Sequence, residues 1–223
     1  MATDAIRARD FSAAPGAGEW RVLGDGATTF FRTASLAASA RLVEAIGALD
    51  ELDEHPVDID IRGDGVTVRL LTYTDDYYGM TQRDLERARR ISAIAREQGL
   101  GGDPMAVESI GPIVIASSDI ARIRPFWQAL LDYQPRRDSP DEDLVDPRGR
   151  GPGVWFEQAD ELGTGRARMH VAVWVPFEQA EARVQAALAA GGTIVFDRAA
   201  PSWWTLADPE GNEADVATIA GRD

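Results

Sequence analysis

Val57-Asp58-Ile59-Asp60-Ile61-Arg62-Gly63-Asp64-Gly65-Val66-Thr67-Val68-Arg69-Leu70 is the stretch on which the N-terminal fold turns. Val57, Ile59 and Ile61 alternate with Asp58 and Asp60, and Val66, Val68 and Leu70 answer them across Arg62-Gly63-Asp64-Gly65. Alternation on both sides of a glycine-rich turn predicts an antiparallel hairpin with one buried face. Upstream, Trp20-Arg21-Val22-Leu23 and Thr28-Thr29-Phe30-Phe31-Arg32 flank the turn Gly24-Asp25-Gly26 and predict two more strands. A helix is expected from about Ser35, with Leu36, Ala40, Val43, Ile46 and Leu49 at helical spacing. A second begins near Thr81, where Thr81 and Asp84 approximate a capping box ahead of the stripe Leu85, Ala88, Ile91 and Ala95. Arg83, Arg87, Arg89 and Arg90 share that helix with Asp84 and Glu86 and read as a solvated face of paired charges. The expected fold class is α+β, an antiparallel sheet with helices on one face.

Gly99-Leu100-Gly101-Gly102-Asp103-Pro104 breaks this pattern and places a boundary near residues 99–107, between a domain at 1–100 and another at 108–223. The second part repeats itself. Ile113-Val114-Ile115 and Val171-Ala172-Val173 are followed, at equal spacing, by Leu130 and Leu188. Each half then reaches an Asp-Pro-x-Gly turn, Asp146-Pro147-Arg148-Gly149 and Asp208-Pro209-Glu210-Gly211. Last strands follow at Val154-Trp155-Phe156-Glu157 and Asp215-Val216-Ala217-Thr218. Two such βαβββ units are too few for a solenoid but can pair to curve a sheet around a pocket. Pro125 interrupts the first helix pattern, so that helix is expected to start later than Asp119 or to hold Pro125 in its first turn.

The 223 residues are 44% hydrophobic and 27% charged, enough apolar material for real cores. With no cysteine there is no disulfide, thiolate nucleophile or thiolate metal site. The formal charge of −14 repels phosphate backbones and anionic lipid, so neither nucleic acid nor membrane is expected as a partner. Met1-Ala2-Thr3-Asp4-Ala5-Ile6-Arg7 has no apolar signal core, and a cytoplasmic protein is expected.

Chemistry gathers at the chain's two histidines. His55 lies in Glu54-His55-Pro56, just before the hairpin; Leu70-Leu71-Thr72-Tyr73 and Gly79-Met80-Thr81-Gln82-Arg83-Asp84-Leu85 follow it. This order, over about residues 10–98, resembles the pterin-4a-carbinolamine dehydratase family, whose signature is His-His-Pro, a Thr-His closing the second hairpin strand, and a Gly-Leu-Thr/Ser-x-x-Asp helix start. His55 and Pro56 match the second histidine and the proline, Thr72 the threonine, and Gly79 and Asp84 the helix start. Glu54 stands in place of the first histidine and Tyr73 in place of the third. The resemblance implies water elimination from 4a-hydroxytetrahydropterin, with His55, Glu54 and Asp84 as the catalytic set and Thr72, Tyr73 and Pro56 shaping a pterin pocket. It also implies no cofactor for that step, and a homo-oligomer. An acid must protonate the leaving hydroxyl and a base must take the N5 proton, which suits groups titrating near the working pH. Tyr73, with an ordinary pKa near 10, is a poor proton acceptor.

Residues 108–219 resemble the vicinal-oxygen-chelate superfamily of glyoxalase and bleomycin-resistance-like proteins. The carriers are the paired units, Phe126-Trp127-Gln128-Ala129-Leu130-Leu131-Asp132-Tyr133, and Trp204-Thr205-Leu206-Ala207-Asp208-Pro209-Glu210-Gly211-Asn212. Metal-using members carry one ligand on the first and last strand of each half. His170 and Asp215 match two of these positions and Glu157 is the candidate for a third, while Pro112 falls opposite His170. A catalytic site needs about three protein ligands, so a divalent metal is disfavoured. The alternative is a metal-free pocket drawing on Trp155, Trp174, Trp203 and Trp204, with at most one of the adjacent Trp203 and Trp204 on the concave face. The sequence thus leads to a dehydratase-like lyase with a fused small-molecule pocket. Its rivals are a non-catalytic pterin or aromatic-ligand binder or scaffold, and a metal-dependent enzyme of the second domain.

Overall fold

The computed structural model of the chain describes residues 4–23, 26–49, 57–74, 77–107, 112–159, 170–218 and 220. Gly24 and Asp25 of the first turn, and Glu54, His55 and Pro56, lie outside the described residues. The chain divides into two compact units, Met1–Ile110 and Gly111–Asp223.

The first unit runs α1 (Ala8–Ala13), β1 (Arg21–Leu23), β2 (Gly26–Arg32), α2 (Leu36–Gly47), β3 (Asp58–Arg62), β4 (Gly65–Leu70), β5 (Thr72–Thr74), β6 (Tyr77–Gly79) and α3 (Gln82–Glu97). Four strands form an antiparallel sheet in the order β1-β2-β4-β3, and β5 and β6 make a separate hairpin. The 57–70 stretch forms the expected hairpin: Ile59 pairs with Val68 and Ile61 with Val66, and Arg62 and Gly65 close the turn; Val66, Val68 and Leu70 are buried, but Ile61, on the sheet's edge strand, is exposed. Gly65 is obligatory because a Cβ there would lie 2.4 Å from the Phe30 ring and from the Phe31 carbonyl oxygen. Ala27, Phe31, Val66, Val68 and Leu70 pack against Leu85, Ala88, Ile91 and Ala95, the predicted stripe of α3. Trp20 joins them and donates its Nε1–H to Ser92 Oγ at 3.0 Å.

Three local readings are corrected. Ser35 caps α2, its Oγ accepting from the Ala38 N–H; Ile46, Val43 and Leu49 of the expected stripe lie in or against the core, but Ser39 and Leu42 complete the buried side while Leu36 and Ala40 are exposed. Ser39 is tolerated inside because its hydroxyl and that of Thr33, 2.7 Å apart, satisfy each other beside Leu42. The charged face of α3 is not wholly solvated, since Asp84 and Arg87 are buried. The short α1 and the β5–β6 hairpin were not expected, being too brief to set up a period; Phe11 alone anchors α1.

The second unit is β7 (Ile113–Ser117), α4 (Ile120–Leu131), β8 (Gln134–Pro135), β9 (Leu144–Val145) and β10 (Val154–Gln158), then β11 (Val171–Trp174), α5 (Phe177–Ala189), β12 (Thr193–Phe196), β13 (Trp203–Ala207) and β14 (Glu213–Ala217). Each half is βαβββ, with sheet orders β7-β10-β9-β8 and β11-β14-β13-β12. The Asp-Pro-x-Gly repeat has a physical cause. Asp146 accepts backbone N–H bonds from Arg148, Arg150 and Gly151, and Asp208 accepts them from Glu210 and Asn212. Gly149 and Gly211 take the left-handed φ of 63° and 90° that these turns need. Ile123, Phe126, Trp127 and Leu130 of α4 and Ala180, Val184 and Ala187 of α5 share one core with Leu206, Ala214 and Val216. α4 starts at Ile120, directly after its cap Asp119, and Pro125 sits in its second turn rather than its first. An interior proline costs about 3 kcal/mol, and the buried stripe on either side of it holds the helix together. Among the described residues no helix is long and apolar enough to cross a membrane.

Candidate functional site

In the first unit the polar groups converge on Asp84, which is 1% exposed. Thr81 is the N-cap of α3, and its side chain and that of Asp84 form a full capping box. Asp84 Oδ2 accepts from Thr72 Oγ1 at 2.7 Å, from the Thr81 backbone N–H at 2.8 Å and from Thr81 Oγ1 at 2.9 Å. One carboxylate oxygen therefore ties the first residue of β5 to the first turn of α3. The chain's beginning is fastened at the same point, because Ile6 N–H donates to Met80 O and Gln82 N–H to Asp4 O. Tyr77 donates its hydroxyl to Met80 O. Its pKa is raised by burial first and then by the Asp84 and Asp4 carboxylates, so the hydroxyl keeps its proton and this hydrogen bond. Thr72 is buried, while Tyr73 and Thr74 after it are exposed as the strand leaves the core. Of the candidate residues here, the structure brings Thr72 and Asp84 together and turns Tyr73 to the other face; Glu54, His55 and Pro56 are not described.

In the second unit the polar cluster lies on the side of the β11–β14 sheet away from the helices. His170 Nε2 is 3.0 Å from Asp215 Oδ2, and Thr205 Oγ1 donates to Asp215 Oδ1 at 2.7 Å. Thr205 and Asp215 are direct cross-strand partners. The position of Thr205 was within reach of the sequence: Asp208 N–H bonds Asn212 O at the turn, and counting outward sets Thr205 opposite Asp215. Trp204 packs on the core, whereas Trp203 stands on the opposite face and stacks on Phe196, with ring centroids 6.0 Å apart and planes 24° from parallel. The same face of the first half carries Val114 and Trp155, 53% and 41% exposed.

Family comparisons match both units. Residues 3–94 match the model of the pterin 4 alpha carbinolamine dehydratase family, and residues 112–217 match that of the glyoxalase-like domain. The chain joins a carbinolamine-dehydratase-like domain to a glyoxalase-like domain. Among solved structures it is similar to a glyoxalase/bleomycin resistance protein/dioxygenase family enzyme from Burkholderia phytofirmans PsJN, with 20% identity and a TM-score of 0.40 over 48% of this chain and 95% of that one. It is also similar to the fosfomycin resistance protein FosX from Mesorhizobium loti, with 14% identity and a TM-score of 0.42 over 52% of this chain and 97% of that one. No curated protein matches the chain.

The glyoxalase-like domain's residues do not fit a divalent metal centre built from both halves. Val114 pairs with Trp155 in the register where Ala172 pairs with Asp215, so the first-half counterpart of Asp215 is Trp155. Glu157 pairs with Ala116, two residues further along. Pro112 precedes β7 as His170 precedes β11, and neither Pro112 nor Trp155 offers a ligand atom. In the second half, of the candidate ligands among the described residues, only His170 and Asp215 come together, with Nε2 3.0 Å from Oδ2, two donors where a catalytic metal site needs about three. Among the described residues no group of three His, Asp or Glu side chains is placed to hold a metal ion. The structure thus joins His170 to Asp215 and leaves Glu157 outside the pair.

Proposed function

We propose that the dehydratase-like domain is a hydro-lyase that removes water from 4a-hydroxytetrahydropterin. The family match over residues 3–94, which spans His55, Thr72 and Asp84, carries this reading. In the elimination the C4a–O bond breaks as the hydroxyl is protonated and leaves as water. The N5–H proton passes to a base, and its electron pair forms the C4a=N5 double bond. His55 is the principal acid–base group, and Glu54 serves as the second if an apolar wall raises its pKa. Asp84 is a positioning residue: buried and bonded to Thr72 and Thr81, it holds β5 against the start of α3. Tyr73 borders the pocket through its hydroxyl.

A second reading is a pterin-binding domain without turnover, favoured by Tyr73, half-exposed, where the family has a histidine. Stopped-flow dehydration of 4a-hydroxytetrahydropterin separates the two. Acceleration by the full chain that disappears in His55→Ala, with unchanged far-ultraviolet circular dichroism, is the expected result. Saturable pterin binding without acceleration would replace the lyase with the binder.

A further inference from the structure

Three of the chain's four tyrosines, Tyr73, Tyr77 and Tyr78, lie on the β5–β6 hairpin. The hairpin is a separate two-stranded sheet of three residues a side, too small to be stable unaided. Its register pairs Thr72 with Gly79, Tyr73 with Tyr78 and Thr74 with Tyr77. Thr72, Tyr77 and Gly79 therefore share one face, and Tyr73 and Tyr78 share the other. The first face is the anchored one. Thr72 Oγ1 donates to Asp84 Oδ2 at 2.7 Å, and the Tyr77 hydroxyl donates to the Met80 carbonyl. Gly79 makes room for the second anchor, since a Cβ there would lie 2.9 Å from the Tyr77 hydroxyl oxygen. On the second face Tyr73 is 49% exposed and Tyr78 is half-buried. Directly opposed residues on antiparallel strands hold their Cβ atoms about 5 Å apart, so the two phenols leave the hairpin as neighbours. Tyrosine offers a large, rigid contact area at low conformational-entropy cost, and the anchored face fixes its base in advance of binding.

We propose that Tyr73 and Tyr78 form an aromatic plate that binds the fused ring system of a pterin-type substrate. Tyr78 is then a substrate-binding residue that answers to no position of the family signature. Two neighbouring phenols favour a fused bicycle over a single ring because each adds stacking area. The plate lies one residue along β5 from Thr72, whose hydroxyl is held by Asp84. At Tyr73 a binding surface stands where the family has a proton-transferring histidine, which leaves the acid–base work to His55 and Glu54. The inference rests on the first domain being a pterin site and holds whether or not that site turns over.

Pterin, planar and fluorescent, is the probe, titrated into the full chain. The expected result is saturable binding with the pterin ring-proton resonances moved upfield by the adjacent phenols. Tyr73→Val and Tyr78→Val keep strand propensity but remove a ring. Each should weaken binding about tenfold and reduce the upfield shift, with unchanged far-ultraviolet circular dichroism, whereas Tyr78→Phe should bind within about twofold of wild type. Wild-type affinity in Tyr78→Val overturns the plate and leaves the lyase reading standing. A loss that Tyr78→Phe shares assigns the effect to the hydroxyl and overturns stacking. Ring-dependent pterin binding without acceleration of dehydration upholds the plate and removes the lyase. No saturable pterin binding by wild type overturns both.

Discussion

A threonine hydroxyl holds a carboxylate in each unit, yet the two carboxylates have different consequences. Asp84 is buried, and its partners are a strand residue and the first turn of a helix, so its bonds fasten secondary structure to secondary structure. Asp215 sits on a sheet face, and its partners are Thr205 on the neighbouring strand and the exposed ring of His170. The first arrangement stabilises the fold around a site; the second orients a single side chain toward solvent. Exposure of the second partner decides which: Thr72, Thr81 and Thr205 are all buried and would carry a desolvation cost if left unpaired, whereas the His170 ring can turn to water.

The largest effect should follow from Asp84→Ala, which strands the Thr81 N–H and two hydroxyls in the interior. A loss of about 3 kcal/mol in urea unfolding is expected, and a loss within error would break the contrast. Next comes Asp208→Ala. Asp208 is 3% exposed and accepts from Trp127 Nε1 at 2.9 Å as well as from the turn backbone. About 2 kcal/mol is expected, read as a drop in denaturation midpoint, which would place this aspartate with Asp84. Asp215→Asn should cost less than about 1 kcal/mol, and a cost equal to that of Asp84→Ala would make Asp215 architectural and remove the difference.

The smallest effect sharpens the comparison through pH. Glu210 Oε1 accepts from the Ser118 hydroxyl and from the Ser118 and Asp119 N–H groups at the start of α4. Burial alone would raise its pKa; the hydrogen bonds from Ser118, Ser117 and the Asp119 backbone outweigh that and hold it below the ordinary glutamate value. A lowered folded pKa contributes stability above the unfolded pKa, and this is lost as pH falls through the folded one. Glu210→Gln should therefore cost about 0.5 kcal/mol at neutral pH. The gap to wild type should close below about pH 4; a gap that persists in acid would assign the effect to packing.

Much of this could be read from the chain. The 57–70 hairpin, the Thr81–Asp84 cap, the stripe of α3 and both βαβββ units follow from period and turn chemistry, which are local. His170 and Asp215 could be named, but the register that pairs Trp155 rather than Glu157 with their half of the repeat could not, because the loops between strands differ in length. Pro125 misled for a related reason: a local penalty was overruled by Phe126, Trp127 and Leu130 packing from the same helix. The burial of Ser39 on α2 goes with a hydroxyl partner at Thr33, which no periodicity reports.

Residue order alone carries the two-unit organisation, the element types and the identity of the polar side chains, since alternation, helical spacing and Asp-Pro-x-Gly turns act over a few neighbours. Tertiary structure alone decided that Asp84 is a buried clamp and Asp215 the support of an exposed imidazole. Twelve residues separate Thr72 from Asp84 and forty-five separate His170 from Asp215. Only the packed strands bring such partners within hydrogen-bonding distance, and only the depth of each pair below the surface sets what its bonds can do.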